Sequence, residues 1–192
     1  MIKKKVKKSK RKNPYLQHEA KEFLRNLDPN INFKFIGEGN FGETYYFKTN
    51  HNILYRNIVL KPNQYILKIY TDSPSSSEIQ HLIKLSKYGL IPKIYYMNHY
   101  FAIMKYIEGE TLWDYGPKTP PEFSLKLKKL IKKWHELGFA HGDISDTNIL
   151  VTESGKIYLI DPYFENKDEF QNDLFKLEWI ENRGIDDDDY DT

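Results

Sequence analysis

Residues 37–42 read Gly-Glu-Gly-Asn-Phe-Gly, a G-x-G-x-x-G with a β-rich run on either side. INFKFI precedes it with a strand-like period and TYYFK follows it in the same way. Glycine lets a backbone turn tightly and approach a phosphate with no Cβ in the way. A dinucleotide-binding fingerprint needs a strand before such glycines and a helix after them. Strands on both sides instead put these glycines in a hairpin, the arrangement of a glycine-rich lid over nucleotide phosphates. Three turn glycines with no ligand are the alternative, and the rest of the chain must decide between them.

The remaining pattern predicts an α+β protein, with strands and one helix in the first half and mostly helices in the second. Residues 14–27 place Leu16, Phe23, Leu24 and Leu27 near one helical face, and Asp28-Pro29 ends that run. Residues 49–63, rich in Asn, read as a loop around a short apolar run, Ile58 to Leu60. YILKIY (65–70) alternates as a strand with Ile66, Lys68 and Tyr70 on one face. A Ser/Pro-rich turn then caps a helix at 76–87, with Leu82, Ile83 and Leu85 apolar. KIYYMN and YFAIMKYI are further β-rich runs, followed by a turn at Gly109. An amphipathic helix at 121–137 carries Phe123, Leu127, Leu130, Ile131 and Trp134. Short strands at 148–152 and 156–160 and a last helix at 168–181 complete the pass.

The chemistry sits at a few positions in this order. Lys68 lies inside an apolar strand, where a buried ammonium needs an anion. An edge-strand lysine in water is the competing reading. Glu78, the one acid between Asp72 and Glu108, opens the following helix, as a partner for Lys68 or as a simple N-terminal charge on the helix dipole. His141-Gly142-Asp143 is followed by Asn148, with Asp143 and Asn148 spaced as in a kinase catalytic loop, and Asp161 ends the apolar run YLID. Phosphoryl transfer needs a carboxylate to accept the hydroxyl proton and oxygen ligands to hold Mg²⁺. Asp143, Asn148 and Asp161 supply that set, although each alone is an ordinary loop residue.

Taken in order, Gly37–Gly42, Lys68, Glu78, His141-x-Asp143, Asn148 and Asp161 resemble the eukaryotic-type protein kinases. Within them the chain is most similar to the small atypical Bud32 and RIO kinases, over roughly residues 31–180. The resemblance implies a two-lobe fold, with an antiparallel N-lobe sheet plus its αC helix and a truncated, mainly helical C-lobe. The lobes would span 14–103 and 110–183, joined by a hinge at 104–109 and flanked by tails at 1–13 and 184–192. It also implies ATP and Mg²⁺ (or Mn²⁺) as cofactors. Gly37, Glu38, Gly39, Asn40, Phe41 and Gly42 would cover the phosphates, Lys68 and Glu78 would position them, and Met104, Lys105 and Ile107 would meet adenine. Asp143 would be the catalytic base, with Lys68 and Asn148 assisting, and Asn148 and Asp161 would hold the metal. Asp173 stands where these families place a helix Asp that braces the catalytic loop.

Some features depart from the typical pattern. Pro162-Tyr163 follows Asp161 in place of Phe-Gly, as also in RIO-like enzymes, and Ser145 replaces the usual lysine. No Ala-Pro-Glu motif follows Asp161, and the chain has no room for the large helical lobe that binds peptides. Gly142, where many kinases carry Arg, has no side chain to pair with a loop phosphate.

The expectation is a Ser/Thr protein kinase acting on a protein substrate. A small-molecule kinase of the aminoglycoside or choline type and a catalytically dead nucleotide-binding scaffold are the rivals. The formal charge of +2 conceals a lysine-rich start and an Asp-rich end. The basic tail could meet nucleic acid or an anionic surface, with a solvated tail as the alternative. With no cysteine the chain forms no disulfide and no thiolate metal site. No apolar stretch approaches the roughly 20 residues of a membrane span. A cytoplasmic protein, with the nucleus possible, is therefore expected.

Overall fold

The fold is given by a computed structural model that describes residues 14–39, 42–55, 58–115, 122–163 and 169–182. The expected tails, and Asn40 and Phe41 of the glycine run, lie outside the described residues. The chain divides into two compact units, one built from residues up to 79 with 94–106, the other from 80–93 with the residues from 107 onward. The division between 106 and 107 falls within the stretch 104–109 expected as the hinge. The second half of the helix at 76–87 groups with the second unit, because His81 and Lys84 pack on the Phe139 ring at 4.8 and 4.9 Å.

The first unit is a five-stranded antiparallel sheet in the order β1-β2-β5-β7-β6. Its strands are β1 (Lys34–Gly39), β2 (Gly42–Thr49), β5 (Asn63–Tyr70), β6 (Ile94–Met97) and β7 (Phe101–Lys105). Helix α1 (Pro14–Leu27) covers one face. Ala20 and Leu24, one helical turn apart, are fully buried there against Phe47, Tyr65, Leu67, Phe101 and Ile103. Each large apolar side chain in this layer contributes roughly 1.5–3 kcal/mol by leaving water. The Asn-rich stretch read as a loop instead forms a hairpin of β3 (Ile53–Tyr55) and β4 (Ile58–Leu60). Alternation explains it, since Ile53, Ile58 and Leu60 are buried while Leu54 and Val59 face outward.

Helix α2 (Ser76–Lys87) follows β5. In the second unit, β8 (Glu110–Thr111) leads into a single turn α3 (Leu112–Tyr115), and α4 (Glu122–Glu136) buries Phe123, Leu127, Ile131 and Trp134 on one stripe. A 3-10 turn (Asp146–Asn148), β9 (Ile149–Val151), β10 (Ile157–Leu159) and α5 (Glu169–Asn182) complete it. β8, β9 and β10 form a small antiparallel sheet. No helix among the described residues is long and apolar enough to cross a membrane.

Candidate active site

In the first unit, β1 and β2 bring the glycines together in register, with Gly39 opposite Gly42 and Gly37 opposite Thr44. A bulge between Phe35 and Gly37 twists the strand just before them. The glycines are not equivalent. Gly42 has φ +150°, and a Cβ there would lie 2.0 Å from the Ile69 carbonyl oxygen, so the fold itself requires glycine. Around Gly37 and Gly39 a Cβ would meet nothing within 4 Å. Among the described residues, then, no neighbour demands glycine at those two positions, which leaves room there for a ligand. Gly42→Ala should therefore cost about 3 kcal/mol through the clash and backbone strain. A melting temperature equal to the wild type would contradict that geometry.

Lys68 on β5 is 7% exposed, opposite Thr44 on one side and Ala102 on the other. Tyr65, Leu67 and Ile69 point to the α1 face and Lys68 to the other, as the alternation of YILKIY predicted. Glu78 behaves differently from its expected pairing with Lys68. Its Oε2 accepts the Ser75 backbone N–H at 2.7 Å, while the Ser75 hydroxyl receives the Glu78 N–H at 3.3 Å. This reciprocal capping box holds the carboxylate at the helix's own N-terminus. At the expected hinge, Met104 is half-buried opposite Ile66, Lys105 is exposed opposite Tyr65, and the Tyr106 amide donates to the Gln64 carbonyl at 3.3 Å. Ile107, which is buried, opens the second unit.

The second unit gathers the loop residues around one backbone position, Ile160. The Ile160 N–H donates to the Asn148 carbonyl at 2.9 Å, and its carbonyl accepts His141 Nε2–H at 2.9 Å. Asn148 in turn donates through Nδ2 to both Asp143 Oδ2 and the Asp143 carbonyl, each at 2.9 Å. Asp143 and Asn148 are thus bonded directly to each other, and Asp161 follows Ile160, the backbone position that bonds Asn148 and His141. Because Nδ2 is used on Asp143, the Asn148 amide oxygen is the group left to meet a cation. Amide and carboxylate oxygens, such as those of Asn148 and Asp161, are the donor types a hard cation such as Mg²⁺ takes, in small number, from a protein. Among the described residues no group of three or more His, Asp and Glu could hold a metal on its own. Asp161 carries φ +56°, the one positive φ outside glycine among the described residues. Asp tolerates that region, and strain of this kind concentrates at functional positions.

Asp173 on α5 holds the loop from behind. Fully buried, it accepts the His141 N–H at 2.7 Å through Oδ2, the Gly142 N–H at 2.9 Å through Oδ1, and His135 Nε2–H at 3.0 Å. Gly142 sits at φ +76°, which explains glycine before Asp143 without reference to regulation. His141 is fully buried against Trp134, and burial pushes its imidazole below the ordinary value despite the nearby Asp173. Neutral, it donates from Nε2 to Ile160 and receives the Asp143 N–H on Nδ1 at 3.3 Å.

The depressed value makes stability fall on acidification. Below a pH of about 6.5 the unfolded chain takes up a proton that the folded chain refuses. This group then removes up to about 1.4 kcal/mol per pH unit until the pH reaches the folded value. Denaturant titrations from neutral to acid pH should show a shallower slope in His141→Asn. Identical slopes would overturn the assignment.

Residues 47–164, more than half the chain, match the family model of the RIO domain. The chain is a RIO-domain protein. RIO domains are atypical protein-kinase-like domains, and the match covers Lys68, Glu78, Met104, Lys105, Ile107, Asp143, Asn148 and Asp161. The glycines at 37–42, α1 and α5 lie outside it.

Among curated relatives, the chain is similar to the KEOPS complex subunit Bud32 of Pyrococcus abyssi, 34% identical over 91 residues, which are 44% of this chain and 41% of that protein. It is 32% identical over 79 residues to the probable serine/threonine-protein kinase FMP48 of Saccharomyces cerevisiae, covering 33% of this chain and 21% of that one. A Rho-associated protein kinase, let-502 of Caenorhabditis briggsae, is 24% identical over 139 residues, 67% of this chain and 12% of its own length. The RIO-domain chain thus spans less than half of each of these relatives.

Proposed function

We propose that this RIO-domain chain is an ATP-dependent phosphotransferase that moves the γ-phosphoryl group to a Ser or Thr hydroxyl of a protein. The observation that supports the reading is the bond from Asn148 Nδ2 to the Asp143 carboxylate, with Ile160, the residue before Asp161, bonded to both Asn148 and His141. In this reading Asp143 accepts the proton of the attacking hydroxyl, at the carboxylate that Asn148 already orients. Asn148 and Asp161 hold Mg²⁺, which when bound neutralises charge on the phosphate oxygens. Gly37 and Gly39 let backbone approach the phosphates, and the buried Lys68 supplies a cation for them. Lys105 and Ile107 offer backbone groups to adenine.

Glu78 enters this scheme only if the capping box opens when nucleotide binds. Lys68→Met should abolish transfer, whereas Glu78→Ala should weaken it by no more than the loss of a helix cap, roughly 1 kcal/mol. A tenfold or larger effect of Glu78→Ala on transfer, without a matching loss of stability, would restore Glu78 to the nucleotide site. Gly37→Ala separates ligand from fold. It should leave the melting temperature unchanged, since its Cβ meets open space, and should weaken ATP binding. ATP affinity equal to the wild type would remove Gly37 from the site.

The acceptor is tested by incubating the chain with labelled ATP, Mg²⁺ and either a generic acceptor protein or a panel of small hydroxyl compounds. Label on protein Ser or Thr supports the reading. Label on a small alcohol alone would replace it with the aminoglycoside- or choline-type activity.

A further inference from the structure

The geometry points to α1 as a brace for the glycine hairpin, acting through Lys21, Tyr45 and Glu43, with Tyr45 and Glu43 as positioning residues for the nucleotide's phosphates. The inference rests on the phosphotransferase reading and deepens it, by extending the machinery to residues outside the RIO-domain match.

Glu43 is only 7% exposed, and a buried carboxylate is costly unless it is hydrogen-bonded. The Tyr45 hydroxyl, equally buried, donates to Glu43 Oε2 at 2.7 Å. A hydroxyl has one proton, so Lys21 Nζ, 3.1 Å from the same oxygen, must be the donor to Tyr45. Lys21 also lies 4.2 Å above the Tyr45 ring. The result is a directed chain of donors from the helix to the carboxylate, in which each bond polarises the next.

The position of this chain matters. Glu43 directly follows Gly42, the last glycine of the run, and its strand partner is Glu38, between Gly37 and Gly39. Like charges directly opposite one another push strands apart, and a bound triphosphate would add negative charge at the same hairpin. Donors delivered to Glu43 offset that repulsion. Tyr45 pairs in register with Phe35, the residue before the bulge, and their rings meet edge-on at 5.5 Å. One tyrosine therefore touches α1, the acid after the last glycine, and the strand that leads into the first.

The test compares Tyr45→Phe, Glu43→Gln and Glu43→Ala with the wild type in full-length chain. ATP and ADP dissociation constants, the KM for ATP, kcat and melting temperature are measured for each. Tyr65→Phe is the control, because its hydroxyl donates to the Lys61 carbonyl in the connection before β5, away from the hairpin. Tyr45→Phe is expected to raise the dissociation constant and KM for ATP by roughly fivefold to tenfold, on the scale of one lost hydrogen bond, with kcat unchanged. Glu43→Gln, which still accepts from Tyr45, should recover most of the affinity lost in Glu43→Ala. Tyr65→Phe should lower melting temperature without moving KM.

Unchanged ATP affinity in Tyr45→Phe would overturn the inference while leaving the kinase reading intact. It would also fall if affinity tracked melting temperature equally in Tyr45→Phe and Tyr65→Phe, because the chain of donors would then be merely structural. A wild-type chain that binds neither ATP nor ADP would remove the phosphotransferase reading and the brace together.

Discussion

Asp143→Asn should slow phosphoryl transfer by about 10²-fold or more while nucleotide binding stays largely intact. The side chain is nearly isosteric, and the new amide oxygen can still accept the 2.9 Å bond from Asn148 Nδ2. What is lost is the basic oxygen that takes the hydroxyl proton. Asp161→Ala differs in kind, because it removes a proposed metal oxygen, and should weaken Mg²⁺-dependent nucleotide binding as well. Single-turnover transfer together with nucleotide titrations separates the two. Wild-type rates in Asp143→Asn would remove it from the base role.

Asp173→Ala should have the largest effect on stability. It strands the buried His141 amide together with the part-buried Gly142 amide and His135 ring nitrogen, each of which now donates to the carboxylate. An orphaned buried donor costs about 1–3 kcal/mol, so about 3 kcal/mol or more is expected, or a fall of about 6–12 °C in melting temperature for a chain of this size. Asp173→Asn keeps one accepting oxygen and should lie between the two. Where the variants fold, kcat should fall more than KM, because the loop that carries Asp143 loses its support. A melting temperature within 1 °C of wild type, a threshold set by roughly 0.3 kcal/mol, would contradict the buried three-donor arrangement.

Much of this was legible in the sequence, for identifiable reasons. Residues whose partners are near in the chain read correctly. α1 and α2 fall at 14–27 and 76–87 as the apolar spacing implied, and the strand around Lys68 follows from alternation. The bond between Asp143 and Asn148 was legible because only a short turn separates them, so spacing encodes proximity. The hairpin at 53–60 was hidden because three-residue strands show too little alternation among Asn and His neighbours. β8 and α3, at 110–115, were missed because a two-residue strand and a one-turn helix carry no periodic signal.

The Glu78 capping box was visible as Ser75-x-x-Glu78, yet the pull of a partner for Lys68 outweighed it. The brace from Lys21 to Glu43 had no sequence signal. Lys21 and Tyr45 lie 24 residues apart, and only the docking of α1 on the sheet brings them into contact.

The central claim is that Asp143 lies in a working phosphotransferase, and one measurement bears on it most directly. Wild type, Asp143→Asn and Asp161→Ala are each given γ-labelled ATP with Mg²⁺ and a generic acceptor protein, and label transferred to hydroxyl oxygen is followed with time. The account predicts transfer by the wild type, a rate about 10²-fold or more lower for Asp143→Asn, and loss of both transfer and Mg²⁺-dependent binding for Asp161→Ala. Nucleotide binding without transfer by the wild type, or equal transfer by all three, would contradict it.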